Sequence, residues 1–426
     1  MNILRKNDKA WNKLCAHYNI VERVAECGQF VISAEQIKQV THQEPRLITK
    51  FDHSINLPKI FADNHLSILP VTRGNYVISE FRAYHTFEER NCPIQDFSLP
   101  EYLQSINDDD IPSETIAINA AYASGILSDF FEDEALCPTV CGRMRSGNFD
   151  FEIKNVNNER VRVGVQNSQI EIDSAYEGLK YLSIIEAKKN LSDDFLIRQL
   201  YYPYRTWLGR INKRIKPIFL VHSNGIFHLY QYDFEDPLLY NSLTLVKYSR
   251  YSIENTAICL DDVVNVLNKS VLLEEPEIAF PQADKFERVV NLCEILGKRR
   301  YTREEVTENY AFDARQTNYY TDAAQYLGLA RKIDGPSYEL TSAGKNILTM
   351  PYKRRQLAFC EKILQHKVFN ETLKRSLAAG CLIDKDLIVS IMRTSNLYNI
   401  ESDSTFGRRA STVRSWVNWI LNLVQG

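Results

Sequence analysis

A glutamate and a lysine stand two residues apart at the end of an apolar segment of this 426-residue chain. Glu186 and Lys188 follow the run Leu182–Ile185, whose length and composition are typical of a buried strand. Since side chains at positions i and i+2 of a strand point to the same face, the carboxylate and the ammonium are expected to lie side by side. Asp173 precedes Glu186 by 13 residues, and the chain between them is long enough to return as an adjacent strand. We therefore expect two carboxylates and one ammonium at one edge of a sheet.

This combination of groups is suited to the hydrolysis of a phosphate ester. Carboxylate oxygens hold a hard divalent cation such as Mg²⁺, which polarises a phosphate and lowers the pKa of a bound water. The lysine can orient or deprotonate that water and offset the negative charge that develops on the phosphate. Asp150, Glu152 and Lys154 form a competing set, because acid-x-Lys triplets also occur as surface ion pairs. The apolar run before Glu186 and the acidic residue upstream of it favour the first set.

The composition is that of a globular protein without a membrane span. Apolar residues make up 44% and charged residues 25% of the chain. No run of about 18 apolar residues occurs, and the N-terminal segment has no signal-peptide core. The nine cysteines are scattered and odd in number, which favours a reducing, cytoplasmic location over a disulfide framework. Residues 280–426 hold 22 Lys and Arg against 16 Asp and Glu, so this third could face a polyanion or present a solvated surface.

The length predicts two or three domains, and the hydrophobic patterns divide the chain into three. Residues 1–108 are expected to form a mixed α/β domain with a hairpin around Arg73–Asn75. Residues 109–278 are expected to form an α/β core in which helices flank a central mixed sheet. Residues 279–426 are predicted to be helical, and their first three helices and a hairpin predict a winged helix-turn-helix.

Local signals predict the elements of the central domain. Ser113 is expected to cap a helix that continues to about Asp133, and Ser192 a second helix over 193–208. The alternation of Phe149, Phe151 and Ile153 predicts a half-buried strand, and Asn224–Gly225 predicts a hairpin turn.

The residues of the candidate site resemble the motif of the PD-(D/E)XK nuclease superfamily. Asp173 corresponds to the first acid of the motif, and Glu186-Ala187-Lys188 corresponds to its (D/E)XK part. Ile172 occupies the position that proline has in the motif. The surrounding sequence is similar to that of a group of bacterial type II restriction endonucleases within this superfamily. The segments that carry the similarity are GRMRSGNFDFEI, QIEIDSAYE, IIEAKKNLSDDFLIRQLYYPYRTW, GRRASTVRSWVNWI and, near the N-terminus, LITKFDHSINLPKIF and LSILPVTRGNYVI.

The resemblance implies a nuclease core and a role for each residue of the site. Asp173, Glu186 and Ala187 would hold Mg²⁺, and Lys188 would serve the attacking water. Gln199, on the following helix, would be an accessory catalytic residue near the phosphate.

The resemblance also implies partners and further acids. The substrate would be double-stranded DNA, cut at specific sequences by a homodimer. A companion DNA methyltransferase would protect the host's DNA. Glu171 and Glu114 are additional candidate acids under the same resemblance, with a solvent-facing strand residue as the alternative for Glu171.

Three groups of side chains are candidates for contact with DNA. They lie on the basic hairpin beside the site, on the helix that follows it, and at the N-terminal end of the third helix of the expected winged helix. These candidates are Arg143, Arg145, Arg198, Arg205, Arg315, Gln316 and Asn318. Lys50 and Arg73 are further candidates in the N-terminal domain. Winged helices also mediate protein contacts, and the tyrosines near Arg205 are expected to pack against the sheet.

Two alternative functions share this core. One is a repair or recombination nuclease that recognises DNA structure instead of sequence. The other is a DNA-binding regulator whose nuclease core is inert. The intact set of two carboxylates and a lysine favours an enzyme, because an inert core does not need it.

Overall fold

The computed structural model describes residues 6–424, apart from 89–91, 108–110, 255–256, 310–313, 334, 336, 399 and 401. Its contacts divide the chain into two compact units. The first consists of Met1–Cys92, Pro112–His222 and Phe227–Arg250, and the second of Pro93–Ile111, Ser223–Ile226 and Tyr251–Gly426.

The N-terminal part of the first unit is a small three-stranded antiparallel sheet, in the order β1-β3-β2, with short helices. Its elements are α1 (Lys6–Tyr18), α2 (Ile20–Cys27), β1 (Phe30–Ser33), α3 (Ala34–Thr41), α4 (Pro45–Ile48), a 3₁₀ turn (Ser54–Asn56), α5 (Lys59–Asp63), β2 (Ser67–Pro70), β3 (Asn75–Ser79) and β4 (Tyr84–Thr86). The predicted hairpin around Arg73–Asn75 is confirmed by the pairing of β2 with β3. Ser33 begins α3 with a capping box, in which its side chain and that of Gln36 each bond the other's backbone N–H.

The central sheet of the protein has seven strands in the order β5-β14-β13-β12-β10-β9-β6. The elements from β5 to β14 are β5 (Ile94–Asp96), α6 (Glu114–Ala123), α7 (Ile126–Phe131), β6 (Cys137–Arg145), β7 (Asn148–Lys154), β8 (Arg160–Gln166), β9 (Gln169–Glu177), β10 (Tyr181–Lys188), β11 (Asp194–Leu196), α8 (Arg198–Trp207), β12 (Arg214–Ser223), β13 (Ile226–Phe234) and β14 (Leu243–Ser252). Strand β10 pairs in parallel with β12 and antiparallel with β9, so the sheet is mixed, as predicted. Strands β7 and β8 form a separate antiparallel hairpin.

Two predicted helices differ from those observed. The helix that begins after Ser113 stops at Ala123, because Gly125 adopts φ +87° and restarts the chain as α7. The helix expected over 193–208 begins only at Arg198, because β11 takes the preceding residues and pairs with β4. Helix α8 therefore has no side-chain cap from Ser192, and the residue before it is Ile197.

The strands that carry the candidate site are anchored from one side by apolar packing. Leu182 and Ile184 of β10 are buried in one core cluster with Ile172 of β9 and Phe219 of β12. Because side chains alternate along a strand, Glu186, two residues beyond Ile184, lies on the same face of β10 as Leu182 and Ile184. The apolar packing therefore fixes the face of the sheet on which Glu186 lies.

The second unit consists mainly of helices. Its remaining elements are α9 (Leu260–Lys269), α10 (Phe286–Lys298), β15 (Tyr301–Thr302), α11 (Arg303–Asn309), α12 (Ala314–Tyr326), β16 (Ala330–Ile333), β17 (Ser337–Leu340), α13 (Ser342–Leu348), α14 (Tyr352–Leu364), α15 (Lys367–Ala379), α16 (Lys385–Arg393) and α17 (Asp403–Asn422). Three helices and an antiparallel hairpin thus follow one another in the predicted order, with β15 as a third strand. The described part of the chain contains no helix with the length and apolar character that a membrane span requires.

Candidate active site

The two predicted carboxylates lie on neighbouring strands that form a tight hairpin. Strands β9 and β10 pair antiparallel up to Ile185 opposite Ser174, and Glu186 and Asp173 are the next residue on each strand. The Asp173 carboxylate accepts a hydrogen bond of 2.8 Å from the backbone N–H of Ala187. The return of the chain as an adjacent strand, expected from the spacing alone, is thereby confirmed.

Glu186 is the centre of the side-chain contacts in this site. The Lys188 ammonium lies 2.5 Å from Glu186 Oε1, and the Gln199 side-chain amide donates to the same oxygen at 2.6 Å. Lys188 also donates to the backbone carbonyl of Ala187 at 3.2 Å. The side chains of Glu186 and Lys188 are 12% and 18% exposed, so this ion pair is shielded but still reachable from solvent.

Two further acids and two further cations surround this pair. Glu114, at the first turn of α6, and Asp52, in the N-terminal region, both interact electrostatically with Lys188. Lys50 and Arg198 interact electrostatically with Asp52. Asp52 could not be predicted from the sequence, because no motif or spacing connects it to the Glu-Ala-Lys strand.

Burial makes ionisation of the three central carboxylates less favourable. The pKa of Asp173 is raised mainly by burial, against the attraction of Lys188 and the hydrogen bond from Ala187. Burial likewise raises the pKa of Glu186 and of Glu114, and neighbouring carboxylates add to both shifts. A cation bound between these carboxylates would therefore favour their charged forms.

The lysine has the opposite environment. Burial alone would lower the pKa of Lys188, but the nearby carboxylates of Glu186, Asp52, Glu114 and Asp173 outweigh burial and hold the pKa above its ordinary value. In this arrangement Lys188 is an ammonium, which is suited to orienting a water or stabilising a phosphate oxygen.

The oxygens near this lysine are of the kind that bind a hard cation. Asp173 and Glu186 supply carboxylate oxygens, and Ala187 has its backbone carbonyl. The Lys188 ammonium contacts both Glu186 and that carbonyl, which shows that a positive group fits between them. The side-chain oxygen of Gln199 is buried and accepts no hydrogen bond. Among the described residues, no group of three or more His, Cys, Asp or Glu side chains is arranged to hold a metal ion.

The competing acid-x-Lys set lies on the β7–β8 hairpin and is engaged in surface ion pairs. Asp150 pairs with Arg162 and Glu152 with Arg160, each at 2.8 Å. Both carboxylates are more than two-fifths exposed. Such exposed pairs stabilise a hairpin only modestly.

The basic candidates of the first unit occupy different environments. Arg143 and Arg145 are exposed on β6, an edge strand, and Arg143 pairs with Glu171 of β9 at 3.3 Å. Arg198 lies beside the candidate site, over the ring of Tyr202. Arg205 bridges α8 to the hairpin instead.

The contacts of Arg205 are internal to the protein. Its guanidinium donates to the backbone oxygen of Asp150 at 3.0 Å and to the Tyr201 hydroxyl at 2.8 Å, and it lies over the ring of Phe149. Tyr201 and Tyr204 are buried, as expected for aromatics that pack against the sheet.

The candidates of the second unit lie near the start of α12. Arg315 is exposed and Gln316 and Asn318 are half-buried, whereas Thr317 between them is fully buried against the hydroxyl of Thr307. The buried Thr317 packs α12 against the rest of the unit, whereas the three candidate DNA-contacting side chains are at least partly exposed.

Comparison with known proteins finds three family matches, each to a domain of unknown function. DUF6996 matches residues 8–78, DUF6997 matches residues 79–252 and DUF7226 matches residues 288–425. No curated protein and no solved structure matches the chain.

The site draws on two of the matched regions. Asp173, Glu186, Lys188 and Gln199 lie within the DUF6997 match, and Asp52 lies within the DUF6996 match.

Proposed function

We propose that the protein is a Mg²⁺-dependent endonuclease that hydrolyses phosphodiester bonds in double-stranded DNA at specific sequences, as a type II restriction endonuclease does. The observation that carries the proposal is the meeting of Asp173, in the middle of β9, with Glu186 and Lys188 at the C-terminal end of β10. Two carboxylates beside a lysine, in a shielded but reachable position, are the groups that phosphate ester hydrolysis requires. The fold class, a mixed sheet with flanking helices, is compatible with the proposed PD-(D/E)XK core.

Each residue of the site has a separate task in this proposal. Asp173, Glu186 and the Ala187 carbonyl would hold Mg²⁺, which when bound supplies charge stabilisation and a water of lowered pKa. Lys188 orients that water and stabilises negative charge on the phosphate. Gln199 fixes the Glu186 carboxylate through its hydrogen bond to Oε1.

Sequence recognition would come from regions outside this site. The exposed arginines of β6 would contact the DNA backbone beside the cut. Arg315, Gln316 and Asn318, at the start of α12 in a proposed winged helix, would make the base contacts. A homodimer would be needed to cut both strands, and a companion methyltransferase would protect the host's sites.

The direct experiment is digestion of unmethylated phage DNA by the purified protein, with Mg²⁺ and with EDTA. Discrete fragments that appear only with Mg²⁺ support the proposal, and their ends define the recognition sequence. A smear that depends on Mg²⁺ would indicate a nuclease that reads DNA structure. Intact DNA together with a gel shift would indicate a DNA-binding protein with an inert core and would overturn the proposal.

A further inference from the structure

A cavity of about 460 Å³ lies within the second unit, between the turn after α12, the small sheet β15–β17 and the start of α13. Helix α12 has 13 residues, so the cavity lies about 20 Å from the candidate base-contacting side chains at the other end of this helix. It is therefore a separate feature from the DNA contacts proposed above. The charged and hydroxyl-bearing residues that line it are Arg300, Arg331, Glu339, Thr341, Ser342 and Lys345.

A buried glutamate holds two arginines at this cavity. Glu339 lies on the middle strand of the small sheet, β17, directly opposite Arg331 of β16. Arg331 donates to Glu339 Oε1 from Nε at 2.9 Å and from Nη2 at 2.6 Å, and Arg300 Nε donates to Oε2 at 2.7 Å. Glu339 is only 8% exposed, whereas the side chains of Arg300 and Arg331 are 70% and 66% exposed. The carboxylate therefore fixes two guanidinium groups side by side while leaving them open to solvent.

The two arginines keep hydrogen-bond donors that Glu339 does not use. A guanidinium has five N–H donors, of which Arg300 gives one and Arg331 two to this carboxylate. Lys345, exposed on α13, adds a third cation to the lining, and Ser342 adds an exposed hydroxyl. Three cations and one carboxylate give the lining a net charge of +2. The cavity is thus suited to an anion that accepts several hydrogen bonds.

One wall of the cavity is formed by close backbone packing. The backbone N–H of Thr341 donates to the Leu329 carbonyl at 2.9 Å, and the Thr341 hydroxyl donates to the Gly328 carbonyl at 2.7 Å. A Cβ atom at Gly344 would lie 2.3 Å from the Leu329 carbonyl oxygen, so only glycine permits this approach of α13 to the turn. The wall is therefore fixed by the fold, and a ligand does not have to order it on binding.

We propose that this cavity binds a phosphate monoester. Such a group carries about −1.5 to −2 charges at pH 7, which matches the net charge of the lining, and guanidinium groups suit its oxygens. A phosphodiester has a single negative charge and would leave the lining partly uncompensated. The volume leaves room for the group that the phosphate is attached to. The monoester is that of a free nucleotide or of a phosphorylated DNA end, and its binding does not rest on the proposed nuclease function.

The first test is calorimetric titration of the full-length protein with thymidine monophosphate, in EDTA and at fixed ionic strength. EDTA prevents a divalent cation from drawing the phosphate to the carboxylates of the candidate active site. We expect saturable binding that is about 10-fold or more weaker in R300A and R331A, because each variant loses charge-assisted hydrogen bonds. R375A is the matched control and should bind like the wild type, since Arg375 is an exposed arginine of α15 outside the cavity. Thymidine, which lacks the phosphate, should not bind.

Two DNA duplexes that differ only in a phosphate at their strand ends distinguish the sources of the monoester. Tighter binding of the phosphorylated duplex in EDTA, lost in R331A, would identify a DNA end. Equal binding of both duplexes, with Arg331-dependent binding of thymidine monophosphate, would identify a free nucleotide. If thymidine monophosphate does not bind and R331A weakens both duplexes equally, the arginines contact backbone phosphodiesters and the proposal is overturned. The absence of any Arg331-dependent binding would overturn it as well, whether or not the protein cuts DNA.

Glu339 separates a built site from a general basic surface. E339Q removes a negative charge from the lining, so a general basic surface would bind the monoester more tightly. We expect weaker binding instead, because the two guanidinium groups are no longer held in place. R331K keeps the charge but loses the planar fork, and it should bind about as weakly as R331A. Unchanged or tighter binding by E339Q, or wild-type binding by R331K, would overturn the proposal, and R331K decides alone if E339Q does not fold.

Discussion

Asp173 accepts a 2.8 Å hydrogen bond from the backbone N–H of Ala187, across the antiparallel pair of β9 and β10. The register of the two strands sets Glu186 opposite Asp173, so their side chains lie on one face of the sheet, and Lys188, two residues further along, lies on that face as well. One bond thus holds the first acid beside the second acid and the lysine. The proposed chemistry depends on this relationship, because a nuclease needs these three groups to meet at one phosphate.

Mg²⁺ should stabilise the protein through the two carboxylates. Asp173 and Glu186 lie close together, and burial already opposes their ionisation. A bound divalent cation would offset the repulsion between the two negatively charged carboxylates. Mg²⁺ or Ca²⁺ is therefore expected to raise Tm of the wild type. D173N and E186Q should lose this response, whereas E152Q should keep it. An equal metal-induced shift in D173N and the wild type would contradict the assignment of Asp173 as a ligand.

Gln199 should affect the rate of cleavage more than the binding of DNA. Its amide donates to Glu186 Oε1 at 2.6 Å, so Q199A would leave the carboxylate less firmly oriented. We expect a 10- to 100-fold slower single-turnover cleavage, on the order found when a supporting residue of a metal ligand is lost. Gel shifts in Ca²⁺ should give an unchanged Kd. Weaker binding at an unchanged rate would instead make Gln199 a DNA contact.

Arg145 and Arg205 should respond differently to replacement by alanine. Arg145 is exposed, so R145A is expected to weaken DNA binding and to reduce the salt slope by about one, with Tm unchanged. Arg205 bonds Asp150 and Tyr201, so R205A is expected to destabilise the fold by about 1–3 kcal/mol. Binding titrations at several salt concentrations and denaturant unfolding measure the two effects. A full salt slope in R145A would show that Arg145 makes no phosphate contact.

His228 should make the protein less stable at acidic pH. Burial, with a smaller contribution from Arg250, lowers the pKa of His228 from 6.5 to about 3, while its Nδ1 lies 2.8 Å from the Tyr248 hydroxyl. The unfolded chain takes up a proton at this residue below about pH 6.5, and the folded protein does not until about pH 3. This residue's contribution to stability is therefore lost as the pH falls through that range, by at most about 1.4 kcal/mol per pH unit.

The comparison that isolates this effect is between the wild type and H228Q. The stability of the wild type relative to H228Q should fall between pH 7 and pH 4, by up to about 1.4 kcal/mol for each pH unit below about 6.5. A difference that does not change with pH would mean that His228 takes up its proton in the folded protein as well.

The part of the site that lies close together in sequence could be predicted from it. The apolar run before Glu186 and the 13 residues back to Asp173 correctly indicated a hairpin. Alternation along the strand correctly placed Glu186 and Lys188 on one face. These inferences worked because strand periodicity and a short return loop leave few other arrangements.

The parts that were missed depend on contacts between distant segments. Asp52 reaches the site because its backbone bonds Leu196, and no local pattern records that contact. The start of α8 was predicted several residues too early, since Asp194–Leu196 pairs with β4 in place of joining the helix. In both cases pairing between distant parts of the chain overrides the local preference.

The most direct test of the account is single-turnover cleavage of unmethylated DNA by D173N, E186Q and E152Q beside the wild type, with Mg²⁺. Loss of a group that positions the reacting atoms is expected to slow cleavage by D173N and E186Q by about 100-fold or more, with DNA binding in Ca²⁺ retained. E152Q should cleave like the wild type, because Glu152 only pairs with Arg160 on the hairpin. Wild-type cleavage by D173N or E186Q, or loss of cleavage in E152Q alone, would contradict the assignment of the active site.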